Sequence, residues 1–170
     1  MKATSKPMLH ALLLAGLMAG AAVAGPAAWA ASGAAHDHGH ASAEQVLRLN
    51  DGRKWQGDAP LRQSMTKIRD AVGAVLPAVH RGKLKASQYD ALGGEIDRQI
   101  ASIVQDCKLD PEADEVLHAI LADLMAGNEA LRGHDAKTPR GDGVLGVVHA
   151  LEQYGKYFEH PGWKPLPSDH

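Results

Sequence analysis

Four stretches of the chain carry apolar residues that recur mainly every three or four positions. In residues 60–79 the stripe is Leu61, Met65, Ile68, Val72, Val75 and Val79. In 87–108 it is Tyr89, Leu92, Ile96, Ile100, Ile103 and Cys107. In the third stretch, which opens at Pro111 and closes at Gly133, it is Ala113, Val116, Leu117, Ile120, Leu121, Leu124 and Leu131. In 143–159 it is Val144, Val148, Leu151, Tyr154 and Phe158. This period lays apolar side chains along one face of an α-helix. Punctuation agrees with it. Asp58 and Pro60 read as cap and first-turn residue of the first helix, which Pro77 and Gly82 end. Ser87 caps the second. Asp110-Pro111-Glu112 opens the third, with acidic residues suited to the helix dipole. Gly93-Gly94 lies inside the second helix, costs about 1 kcal/mol per Gly relative to Ala, and permits close helix contact. Four amphipathic helices with short connections predict an all-α, up-down-up-down four-helix bundle over residues 58–160.

The flanks carry different patterns. Asn50-Asp51-Gly52 sits between Val46-Leu47-Arg48-Leu49 and Arg53-Lys54-Trp55, so 46–57 reads as a tight turn or short hairpin against the bundle. Pro161, Pro165 and Pro167 predict an extended C-terminal tail over 161–170. At the other end, Lys2 and Lys6 precede an apolar run over 8–24 without an acidic residue. Ala28-Trp29-Ala30 then offers small residues for cleavage before Ala31, and Ala22-Val23-Ala24 is a second such place. The run is shorter than the ~20 apolar residues that span a bilayer. Residues 1–30 therefore read as a signal peptide. The expected location is periplasmic or secreted, without stable membrane insertion after cleavage. Residues 31–45 are small and polar, without an apolar period, and predict a flexible tail.

Composition narrows the function classes. The chain has 170 residues, 18 Lys+Arg and 20 Asp+Glu, a formal charge of −2. One domain fits that length. No basic field is available for nucleic acid. The single Cys excludes an internal disulfide, a CxxC motif and covalent c-type haem. There is no phosphate-binding Gly-rich loop, no GxSxG and no HExxH. A single Glu115/His118 unit cannot supply a di-iron carboxylate site. With no catalytic constellation, the chain reads as a non-enzyme.

Histidine is the unusual component. Ten occur in the chain, nine of them beyond residue 30. His36, His38 and His40 stand at alternate positions, with Asp37 between the first two. Neutral imidazoles so spaced suit copper, nickel or zinc, so a copper-binding or copper-buffering tail is the leading expectation. A second set comprises Met65, His118, Met125 and His149. At ~1.5 Å per helical residue, Met65 and His118 fall near one level of the bundle and Met125 and His149 near another. Such Met/His sets suit copper or non-covalent haem. Met65 also fits as a core gap-filler, and the histidines as partly exposed flank residues. Cys107, at the end of the second helix, reads as a small packing residue. As a thiol it gains reactivity from the start of the third helix. Tyr154, Tyr157, Phe158 and Trp163 concentrate most of the rings near the C-terminus, either as a plug or as a patch for a protein partner or homodimer.

The exported four-helix outline, with Met65 early in the first helix and His late in the fourth, resembles the periplasmic haem-b four-helix-bundle cytochromes over residues 58–160. The resemblance implies an electron carrier in which Met65 and a late His clamp haem b. His149 lies about two turns deeper than the family's position, and His160 stands at the helix end beside Pro161. The segment from Asn50 to His118 is also similar to small exported proteins of proteobacteria.

Overall fold

The structure, a computed structural model, describes residues 46–167. Among these, four helices form one bundle: α1 (Ala59–His80), α2 (Ala86–Asp106), α3 (Pro111–Arg132) and α4 (Arg140–Tyr157). In contact, α1 packs on α2, α2 on α3, α3 on α4 and α4 on α1. The predicted stripes form the core. Leu61, Met65, Ile68, Val72, Ile96, Val116, Ile120, Leu124 and Leu131 are sealed from solvent. Removing that apolar surface from water is the main force assembling the helices.

Local signals act largely as expected. The Asp58 carboxylate accepts the N–H of Leu61 at 2.9 Å and caps α1. At the far end, Gly82 adopts φ +61, and the N–H groups of Gly82 and Lys83 bond the carbonyls of Val79 and Ala78, both at 2.8 Å. Gly133 adopts φ +81 and closes α3 with the same pair of bonds, its N–H to Ala130 and that of His134 to Glu129. These left-handed glycines satisfy carbonyls that the helix ends leave open.

The structure departs from expectation at four places. Pro77 lies inside α1 rather than ending it. A proline removes one hydrogen bond and crowds the carbonyl four residues earlier, and here that earlier residue is Gly73. The helix continues to the glycine-closed turn at Gly82. The second helix starts at Ala86, where the N–H of Lys85 donates to the Gln88 side chain at 3.0 Å, and Ser87 is not its cap. Residues 50–53 form the expected tight turn, with Asn50 and Arg53 exchanging backbone bonds of 2.8 and 2.9 Å. The following strand does not complete a hairpin. Instead β1 (Trp55–Gln56) pairs in parallel with β2 (Phe158–Glu159), so α4 ends at Tyr157. The residues on either side of the bundle are thereby tied backbone to backbone. Finally, residues 161–167 are not a free extension. Gly162 turns the chain at φ +81, and Trp163 and Leu166 pack back on the bundle.

Helix contact is closest between α3 and α4. A Cβ at Gly143 would stand 2.2 Å from the backbone N of Leu131, and one at Gly127 would stand 2.8 Å from that of Val147. Only hydrogen fits there. The Gly93-Gly94 pair divides its roles. Gly93 accommodates Arg132 and Asn128 from α3, while a Cβ at Gly94 would meet only the end of Arg98.

Candidate functional site

The expected metal ligands fall into separate settings. His36, His38 and His40, with the whole 31–45 segment, lie outside the described residues. So do the expected signal-peptide residues 1–30. Met65 is wholly buried in the packed core. His118 is an exposed side chain whose Nδ1 lies 2.8 Å from the Asp114 carbonyl. His149 is also exposed, with Nε2 3.2 Å from the Gln153 amide nitrogen. Met125 is 52% exposed. Equal depth along the bundle therefore does not bring Met65 and His118 to one place, because Met65 is buried in the core and His118 is exposed to solvent. Of the haem-b pair, Met65 is sealed inside the core and His149 stands in water, while the other late histidine, His160, is half-buried beside Tyr154 and Thr66. Among the described residues, no group of three or more His, Cys, Asp or Glu side chains could hold a metal ion.

Cys107 is half-buried at the start of the α2–α3 connection. Its Sγ lies 3.5 Å from Asp58 Oδ1. Burial pushes the thiol up to about 12, and the neighbouring Asp58 charge adds to that. The expected activation by α3 is thus overruled: a carboxylate at the sulfur opposes thiolate formation more directly than a helix end favours it.

The four candidate patch residues are packing residues. Tyr154 and Phe158 are fully buried and stacked, with centroids 5.6 Å apart. Tyr157 is buried, and Trp163 meets the Tyr154 ring edge-on at 4.9 Å. The plug reading fits these rings, because a partner could reach little but Trp163. His160, which stands just past the end of α4, completes the cluster. His160 Nδ1 lies 2.9 Å from the Tyr154 hydroxyl, and its Nε2 lies 3.4 Å from Thr66 Oγ1. Thr66 spends its one proton on the Arg62 carbonyl at 2.9 Å. The Thr66 oxygen must therefore accept from Nε2–H, and Nδ1 accepts from Tyr154. Burial lowers the His160 pKa, and the nearby Arg62 and Arg69 charges lower it further.

Exposed apolar residues gather elsewhere. A groove of about 370 Å³ between α2 and α3 is lined by Ile100, Ala101, Val104, Met125 and Asn128, with Asp97 and Glu129 among its polar residues. Val104 is 72% exposed there. Beneath it, Asn128 Nδ2 donates to Asp97 at 2.6 Å and to the Gly93 carbonyl at 3.3 Å. The period-based stripe omitted Asn128 because it is polar, although its position on the α3 face matches Leu124 and Leu131. Among the described residues no helix is long and apolar enough to cross a membrane.

Comparison with protein-family models, with curated proteins and with solved structures finds no match to this chain.

Proposed function

We propose that the protein is a non-enzymatic, exported carrier that captures a transition metal, copper first, through His36, His38 and His40. The observation that carries the reading is the run His36-Asp37-His38-Gly39-His40, three imidazoles at alternate positions with a carboxylate between. Neutral imidazole nitrogens and a carboxylate oxygen together suit Cu(II). The dispersal of Met65, His118, Met125 and His149 supports placing the chemistry in that run rather than inside the bundle. The bundle is then the folded body to which the binding segment is attached. Its short turns at 81–85, 107–110 and 133–139, and the neighbour order of its helices, support an up-down-up-down course.

Titration of Cu(II) into the full chain, followed by calorimetry and metal analysis, tests this reading. We expect about one bound Cu(II) per chain, lost in a His36→Ala/His38→Ala/His40→Ala variant. Equal, negligible binding by both proteins sinks it. Binding retained by the variant moves the site elsewhere. A second reading, a metal-free interaction module, is favoured by the α2–α3 groove with its exposed Val104 and Met125. It predicts no copper binding at all.

A further inference from the structure

The last described segment is held against the bundle by a small set of groups, and one of them is a histidine. Residues 160–167 leave β2, turn at Gly162, and run back over α4 and α1. The N–H of Trp163 bonds the His160 carbonyl at 3.0 Å. The indole lies against the bare backbone of Gly155, where a Cβ would stand 2.4 Å from its Nε1. It also meets the His160 ring at 5.0 Å and lies 5.4 Å from the Arg69 guanidinium carbon. Farther on, Leu166 covers Gly73, and Pro167 adjoins Leu76 and Pro77. His160 stands at the root of this strap and joins three elements: α1 through Thr66, α4 through Tyr154, and the strap through Trp163.

The charged groups and the hydroxyl donor that face His160 favour its neutral form. From α1 come Arg62 and Arg69, both cationic. The Arg69 guanidinium is already paired with Asp70. From α4 comes Tyr154, whose own ionisation is pushed up by burial, so it stays a donor. Asp58 and Cys107 lie behind Tyr154 rather than at the imidazole, and Asp58 is occupied by the N–H groups of Leu61 and Lys108. Nδ1 has one lone pair, and it accepts the Tyr154 proton. Protonation there reverses the bond: Nδ1–H donates to the Tyr154 oxygen, the buried hydroxyl proton loses its acceptor, and a third positive charge joins Arg62 and Arg69.

We propose that His160 is an acid-sensitive latch: adding a proton at Nδ1 releases residues 160–167 from α1 and α4 while the four helices remain folded. Release bares Gly155, the edge of the Tyr154 ring and the Gly73–Pro77 stretch of α1. Sequence spacing could not reveal this device, because it depends on Thr66 and Tyr154 meeting one imidazole from opposite sides.

The test is ¹⁵N-resolved NMR of the full chain across falling pH, following the Trp163 indole and residues 158–167, with helical circular dichroism in parallel. The strap signals should move to unstructured positions with a midpoint below the ordinary histidine value of 6.5, while helicity is unchanged. His160→Gln keeps a neutral side chain and should stay docked throughout. Tyr154→Phe removes the donor that favours neutral His160, so its midpoint should rise by about half to one pH unit. A strap still docked at about pH 4, the same transition in His160→Gln, a lowered midpoint in Tyr154→Phe, or helix loss at the same midpoint each overturns the proposal.

Discussion

The carboxylate of Asp58 accepts the backbone N–H of Lys108 at 2.7 Å, across fifty residues of sequence. Its other oxygen caps α1 through Leu61. One side chain therefore both starts the first helix and pins the connection between α2 and α3. Asp58→Ala removes both acceptors and should cost about 2–3 kcal/mol. Asp110 occupies the equivalent position before α3 but makes no side-chain cap bond. Asp110→Ala should stay within about 0.5 kcal/mol of the parent. Urea denaturation of the two variants measures the contrast.

Glycine positions separate by what surrounds them. Gly143→Ala drives a methyl group into the backbone of Leu131, so α3 and α4 must part. We expect a loss of more than about 3 kcal/mol. Gly94→Ala meets only the flexible end of Arg98 and sits in a helix interior. It should stabilise by about 0.5–1 kcal/mol. Thermal melting of both variants checks the opposite signs.

Cys107 links stability to alkaline pH. The folded state holds the thiol proton up to about 12, whereas the ordinary value is 9.0. The unfolded chain releases that proton first. The contribution of Cys107 to stability is thus complete below pH 9 and is lost as pH rises from there toward 12. At pH 8, the native thiol should react with iodoacetamide on the order of 10²–10³-fold more slowly than the unfolded thiol. Asp58→Asn should speed the native reaction. Equal native and unfolded rates would remove the assigned environment.

The two methionines of the described chain should behave oppositely. Met65 is sealed in the core, and Met65→Ala should cost about 2–5 kcal/mol. Met125 stands in the α2–α3 groove, 52% exposed. Met125→Ala should change stability by less than about 0.5 kcal/mol. Paired denaturation curves give both values.

Acid should also weaken the fold through His160. Its folded pKa is lowered by burial, so the unfolded chain takes up a proton first. Stability therefore falls as pH drops below 6.5, and is complete above it. Denaturation midpoints at descending pH measure the loss, which His160→Gln should reduce.

The amphipathic period determined the four helices and nearly all of their buried faces, because a 3.6-residue repeat is a local property. Gly133 and Asp58 likewise announced helix ends through chemistry that needs only neighbouring residues. The meetings between distant segments were decided by packing. Trp55 and Gln56 read as half of a hairpin, yet their backbone partners are Phe158 and Glu159, which no local spacing links to them. Pro77 carries a stop signal that the helix overrides, with Gly73 standing where the proline crowds the chain. Met65 and His118 share an expected level, but rotation about each helix axis sends one inward and the other to water. His160 read as a residue beyond a helix, and only the fold brought Thr66 and Tyr154 to its two nitrogens. Helical pattern is written along the chain, whereas a site depends on which faces turn toward each other once the apolar stripes are buried.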